Sequence, residues 1–305
     1  MTPSRIALDQ GDVHEAAGRH EAAFEAFQRA VALDPTHARA WRQLGNLLRR
    51  AGRLAEACTC FERALALGDD PELNTFFLSA VGVGRLPPQA PIGFVGALYD
   101  QYAARFDDHL QHQLAYRGPE WLAALVGTPG APRFRSVLDL GCGTGLAGTQ
   151  FRPLTDRLEG VDLSPRMLAR AAAGGAYDQL SAAELLDHLR NTPRRHDLVV
   201  ACDVFIYIGD LRAVFREVHR VLEPGGRFAF TTESCGASEG YDLLPTLRYG
   251  HSENGVRTWA AGASFEVLQV RRAPLRIQDG VPVDGHLFDL GKPARPPRTT
   301  DQPAV

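Results

Sequence analysis

Several familiar signals are scarce in this chain of 305 residues. It has five cysteines, at 58, 60, 142, 202 and 235, an odd number with no regular spacing. That pattern excludes a disulfide framework and is expected of a reduced, cytoplasmic protein. Cys58 and Cys60 lie one residue apart in a helical pattern, which turns them to different faces and argues against a shared metal; no metal site is expected. No apolar run approaches the about 18 residues of a membrane span, and the first 16 residues are polar and acidic, without a signal-peptide core. Basic residues are not in excess: the formal net charge is −3, and Arg194-Arg195 and Arg271-Arg272 occur only as pairs. No field favours nucleic acid. Apolar content of 45% and charged content of 23% are those of an ordinary folded protein of about two domains.

What is present begins with glycine. Val137-Leu138-Asp139-Leu140 runs straight into Gly141-Cys142-Gly143-Thr144-Gly145. An apolar run ending in glycines at alternate positions reads as a buried parallel strand, a tight turn and a helix. Glycine admits positive φ and close approach of a ligand to the main chain. The spacing departs from a dinucleotide fingerprint, because Leu146 stands where the third glycine would fall. A second strand near 158–162 ends in Asp162, where such folds place an acid that accepts from ribose hydroxyls.

At these residues the chain resembles the class I S-adenosylmethionine-dependent methyltransferases. Asp197-Leu198-Val199-Val200-Ala201 and Leu222-Glu223-Pro224-Gly225-Gly226-Arg227-Phe228 continue the likeness as the fourth strand and the turn into the fifth. The resemblance implies a Rossmann-like α/β fold, a mostly parallel seven-stranded sheet with an antiparallel last strand, and S-adenosyl-L-methionine as cofactor. It implies that Asp139, Gly141, Cys142, Gly143 and Gly145 cradle the methionine part and that Asp162 binds the ribose. Leu163 and Met167 would lie toward the adenine, and Glu184 would accept from its amino group. Ser164 and Pro165 also suit the cap and first position of a helix, and Glu184 also suits a helix start. Strands are expected near 136–140, 158–162, 197–202, 227–232, 264–271 and 285–290.

Ahead of the core, Tyr99, Tyr102 and Phe106 recur at helical spacings of three and four. They are candidates for a lid over the cofactor, Tyr102 foremost, or for simple packing on the core. Tyr116-Arg117 also comes within reach of the cofactor mouth. Asp203 and Tyr207 follow the fourth strand, where an acceptor belongs. Asp203 is a candidate to orient it, or to cap the next turn. His251, ahead of a helix, is a candidate general base, since histidine titrates near neutral pH; capping or packing is its other reading.

The first 70 residues repeat. Ala17-Gly18-Arg19 answers Ala51-Gly52-Arg53, and Phe27-Gln28-Arg29-Ala30 answers Phe61-Glu62-Arg63-Ala64, each at an offset of 34. The period, with Trp41, Leu44 and Gly45, resembles tetratricopeptide repeats. The first copy has Ala7, Gln10 and His14 at the large apolar positions, so a frayed or capping first helix is expected there. A third helical element is expected over Pro71–Val81.

The expected organisation is a repeat domain over 1–82, a proline-marked linker over 83–94, the methyltransferase domain over 95–292 and a disordered tail over 293–305. The expected activity is methyl transfer to an oxygen or nitrogen of a small-molecule acceptor. The alternatives are a protein methyltransferase whose repeats recruit the target, and a cofactor-binding adaptor without turnover. A protein partner on the repeats is expected on the second reading; nucleic acid and membrane are not.

Overall fold

The structure, a computed structural model, describes residues 1–127, 133–278 and 280–294. Two compact units are present. The first is Met1–Phe94 with Asp242–Tyr249; the second is Val95–Tyr241 and the described chain from Gly250 onward. The expected tail lies almost wholly outside the described residues.

The first unit is built of α1 (Pro3–Ala16), α2 (His20–Leu33), α3 (Ala38–Arg50), α4 (Leu54–Ala66) and α5 (Pro71–Ala80). Gly18 and Gly52 follow α1 and α3 with φ of +70° and +74°, the left-handed geometry that closes a helix. Asp70 accepts from Leu73 N–H at 3.0 Å and caps α5, with Pro71 at its first position. The repeat shows in the packing. A Cβ on Gly11 would fall inside the ring edge of Phe27, and one on Gly45 would lie 2.8 Å from Phe61 Cε1. Both pairs keep the offset of 34. The first helix is therefore complete rather than frayed: Ala7 and Leu8 are buried, and Gly11 lets α2 approach as Gly45 lets α4. Phe77 packs tilted against Phe61 at 5.1 Å and edge-on against Phe94 at 5.9 Å between centroids.

Arg39, Arg42, Asn46 and Arg49 form one stripe of α3 at spacings of three and four. Arg39 pairs with Asp12 at 2.6 Å, and Arg42 pairs with Asp69. Arg49 is buried, and burial lowers its guanidinium to about 10. It donates to Asn46 Oδ1 at 2.7 Å and to the carbonyl of Pro245, so the unit binds its own distant segment 242–249. Tyr249 joins it, with its hydroxyl donating to Pro87 O at 3.0 Å. The proline-rich stretch expected as a linker is thus bonded into this unit.

The second unit opens with α6 (Ile92–Tyr102), α7 (Phe106–Asp108) and α8 (Gly118–Val126), then alternates: β1 (Phe134–Leu140), α9 (Leu146–Phe151), β2 (Thr155–Asp162), α10 (Pro165–Gly174), β3 (Gln179–Ala182), α11 (Leu185–Asn191), β4 (His196–Ala201), α12 (Arg212–Val221) and β5 (Leu222–Ser234). The short β6 (Tyr241–Leu243) and β7 (Tyr249–His251) precede α13 (Glu253–Gly262) and the hairpin β8 (Glu266–Gln278)–β9 (Val281–Gly291). The sheet order is β3-β2-β1-β4-β5-β7-β6, parallel through β5, with β9 antiparallel to β5 and β8 to β9. β1 is central, and Val137, Leu138 and Leu140 are fully buried. One face carries α8 and α9 through Leu122, Val126 and Phe151; the other carries α11 and α12 through Leu189, Phe215 and Val218. The sheet has nine strands where seven were expected, because β6 and β7 are three-residue pairings too short to show a pattern. The expected strands 264–271 and 285–290 are the distal parts of one hairpin whose arginines, prolines and glycines read as loop.

The repeat packing predicts that Gly11→Ala and Gly45→Ala each destabilise the protein despite better helix propensity. Overpacking against a fully buried phenylalanine costs about 1–3 kcal/mol. Thermal unfolding should show the larger loss for Gly11→Ala, where the approach is closer.

Candidate functional site

The site is built from the turn after β1. Gly141, Gly143 and Gly145 have φ of +67°, +54° and +97°. A Cβ on Gly141 would lie 2.5 Å from Val204 Cγ2. The turn is locked by Cys142 N–H donating to Val161 O and Gly145 N–H donating to Cys142 O, both at 2.9 Å. Cys142 is buried, which pushes its thiol far up and leaves it inert.

Asp162 ends β2 facing this turn. Its Oδ2 accepts from Gly143 N–H at 2.9 Å and its Oδ1 from Ser164 N–H at 2.8 Å. Burial raises its carboxyl, and these backbone donors oppose the rise. Each oxygen keeps acceptor capacity for a hydroxyl. Leu163 follows it, half-buried, and packs beside Gly96 of α6.

Asp139 lies beneath the turn, 1% exposed. Its Oδ2 accepts from Tyr177 O–H at 2.7 Å, while Oδ1 is buried without a partner. Burial raises the carboxyl to about 7, the tyrosine hydroxyl opposes this, and Asp162 adds to it.

The segment α6–α7 is tied to both loops. Ser164 Oγ donates to Asp100 Oδ1, and Thr144 Oγ1 donates to Asp107. Phe106 is the ring beside Gly143, 3.8 Å from where its Cβ would be. Tyr102 packs edge-on against Phe106 at 5.3 Å and engages His109 through its hydroxyl. Tyr99 reaches Tyr207 after β4, with hydroxyls 3.2 Å apart. The segment thus lies against the cofactor loops, with Phe106 rather than Tyr102 nearest the turn.

At the ends of β4 and β5 stands an ionic cluster. Asp203 has φ of +55°, and its N–H donates to Thr231 Oγ1 at 2.8 Å. Arg276, 1% exposed, reaches Asp203 Oδ1 at 3.1 Å and pairs with Glu233 as well. Tyr116 is buried and Cys202 half-buried beside them, and desolvation drives both hydroxyl and thiol far above their usual range.

Three expected residues have structural partners of their own. His251 is fully buried: its Nε2–H is shared by the carbonyls of Ile208 and Gly209 at 3.0 and 3.1 Å, and burial lowers the ring to about 4. That is a neutral structural imidazole, not a poised base. Met167 is 0% exposed and packs in the core. Glu184 caps α11 by accepting from Asp187 N–H at 2.8 Å, which fixes one of its oxygens. Conversely, Tyr177, Glu233 and Arg276 belong to the site region and had no motif to announce them. Antiparallel pairing of β8 and β9 carries Arg276 to the end of β5, while Tyr177 lies toward the start of β3 and reaches Asp139 through the length of its side chain.

The donor set suits a ligand with vicinal hydroxyls and a cation: Asp162 for the first, the buried unpaired oxygen of Asp139 for the second, and a turn whose glycines admit no Cβ. The fold and this site define a Rossmann-like domain of the nucleoside-cofactor type. Residues 137–226 match the methyltransferase domain family, and residues 8–71 match the tetratricopeptide repeat family. The chain carries a methyltransferase domain behind tetratricopeptide repeats. Among curated relatives it is 32% identical over 143 residues to a malonyl-[acyl-carrier protein] O-methyltransferase of Pseudescherichia vulneris, covering 47% of this chain and 55% of that protein. It is also 32% identical over 152 residues to methyltransferase-like protein 27 of Homo sapiens, covering 47% and 59%. The chain thus spans little more than half the length of these relatives. A solved structure, the 1,6-didemethyltoxoflavin-N1-methyltransferase of Burkholderia thailandensis with bound 1,6-didemethyltoxoflavin and S-adenosylhomocysteine, shares the fold with a TM-score of 0.52 at 17% identity, covering 69% of this chain and 93% of that one.

Two pH responses follow. Asp139 has a folded-state value raised from 3.8 to about 7, so its stabilising contribution is complete below about 4 and is lost as pH rises through 7. Asp139→Asn should therefore unfold at higher temperature than wild type at pH 8, by about 1–3 kcal/mol, with the gap closing toward pH 4. His251 behaves oppositely. Its folded value is depressed from 6.5 to about 4, so stability falls as pH drops through that window. His251→Gln should remove part of this acid sensitivity, up to about 3 kcal/mol at pH 4, read by denaturant titration at pH 7 and pH 4.

Proposed function

We propose that the protein is an S-adenosylmethionine-dependent methyltransferase acting on a hydroxyl or amine of a small molecule. The observation that carries this reading is Asp162, bonded at once to Gly143 N–H and Ser164 N–H and keeping acceptor capacity for ribose hydroxyls. The cofactor supplies a methyl group on a sulfonium. The protein's part is to position it and the acceptor, since an in-line displacement needs alignment more than acid–base groups. Gly141, Gly143 and Gly145 leave the main chain open to the amino-acid half. Phe106 and the α6–α7 segment, tied through Asp100 and Asp107, cover the turn.

The acceptor side is set by Asp203, Glu233 and Arg276, with a formal sum of −1. The one cation is buried between two carboxylates, so no free positive charge greets an anionic acceptor. This favours a neutral or cationic acceptor over a carboxylate, with Asp203 the candidate to orient it. The repeats enter as support for the enzyme: the α3 stripe is already spent on Asp12, Asp69, Asn46 and Pro245.

Calorimetric titration of S-adenosylhomocysteine should show binding that Asp162→Ala weakens by about 1.5–3 kcal/mol, the scale of a charged hydrogen-bond partner. Label from methyl-labelled cofactor should then appear in amines or phenols of an acceptor panel and not in carboxylic acids. Absence of binding by folded protein would sink the reading. Label appearing only in proteins of a cell extract would move the acceptor to a protein.

A further inference from the structure

Tyr177 precedes β3 in no recognisable motif, yet it is the side chain on which the glycine turn rests. Its ring fills a notch made by three glycines. A Cβ on Gly148 would lie 2.5 Å from its Cζ, one on Gly160 2.9 Å from its Cε1, and one on Gly145 3.2 Å from its Cε2. Gly148 is in α9, Gly160 in β2 and Gly145 in the turn, so one ring sets the spacing of three elements. Its hydroxyl then donates to Asp139 Oδ2 at 2.7 Å.

We propose that Tyr177 is a positioning residue of the cofactor site: its hydroxyl favours the ionised form of Asp139 beneath the turn, where that charge attracts the ammonium of the cofactor's amino-acid half. The inference rests on the cofactor reading above. The groups facing Asp139 are Tyr177 before β3, Asp162 at the end of β2, Cys142 in the turn and Cys202 after β4. Asp162 disfavours a second charge, and both thiols are held neutral by burial. Among these neighbours only the tyrosine hydroxyl stabilises the ionised form, because a hydrogen bond to the charged state favours that state. Oδ1, buried and unpaired, leaves the carboxylate half satisfied.

The test compares two ligands. S-adenosylhomocysteine carries the ammonium; 5′-methylthioadenosine has the same nucleoside without the amino-acid part. Tyr177→Phe keeps the ring in its notch and removes only the donor. In wild type, affinity for S-adenosylhomocysteine should rise with pH through neutrality as Asp139 ionises, while affinity for 5′-methylthioadenosine should stay level. In Tyr177→Phe the first profile should move to higher pH by about one unit, roughly a tenfold loss at pH 6.5, and the second should not move. Superimposed profiles would overturn the proposal. So would an equal loss for both ligands, which would make Tyr177 a packing residue only. If wild type bound neither ligand, the cofactor reading itself would fall, and the proposal with it.

Discussion

One carboxylate joins the parts of the cofactor end. Asp162 takes Gly143 N–H on one oxygen and Ser164 N–H on the other, which fixes the turn after β1 against the start of α10. Ser164 passes the constraint on: its hydroxyl accepts from Met167 N–H to cap α10 and donates to Asp100 of α6. Sheet, turn, helix and covering segment are thus linked through one residue and its neighbour. Each bond on its own is modest, about 1 kcal/mol net. Two of them share Asp162, so displacing that acid unties the turn from the start of α10. A ligand accepted by Asp162 therefore meets a carboxylate already held in place, and binding spends little on ordering it.

In each unit the protein keeps charges from water, and each is handled differently. Asp139 has a single hydroxyl donor and responds by a carboxyl raised toward neutrality. Arg276 sits between Asp203 and Glu233, so its charge is more than matched. Arg49 has only neutral partners, Asn46 and Pro245 O, and its guanidinium is lowered. Burying a charge costs several kcal/mol unless it is paired, so none of these is a cheap source of stability. Their cost is understandable where the charge is used: an incompletely satisfied acid at the turn, a net negative group at the acceptor end, and a hook for segment 242–249 in the helical unit. The positive φ of Asp203 belongs with them, since the bond to Thr231 and the ion pair to Arg276 hold it there.

The fold was legible in the sequence wherever burial imposed a period. Val137 to Leu140 and Leu198 to Ala201 read as strands because they are covered on both faces, and the repeat was legible because Phe27 and Phe61 recur against matched glycines. Asp162 was legible because it ends a strand at a fixed distance from the turn. What escaped was set by tertiary placement. Glu233 and Arg276 meet through pairing across the sheet, and Tyr177 meets Asp139 through its long side chain; no local pattern encodes either. His251 looked like a base, but its surroundings, the carbonyls of Ile208 and Gly209 and the ring of Trp259, come from other elements and make it a neutral packing group. Met167 and Glu184 fell at family positions whose local work, core packing and helix capping, their own backbone already demanded.

Glycine is the common thread between what could be read and what could not. At Gly11, Gly45, Gly141, Gly148 and Gly160 a Cβ would collide with a side chain that comes from elsewhere in the chain: Phe27, Phe61, Val204 and Tyr177. The sequence displays the glycine and hides the partner. In the repeats the partner recurs with the period and can be inferred. In the methyltransferase domain it cannot, because Tyr177 serves three glycines at once from a segment with no pattern of its own. A glycine-rich turn is thus half of a fitted pair. Its geometry is set as much by the ring beneath it as by the backbone freedom that makes it recognisable.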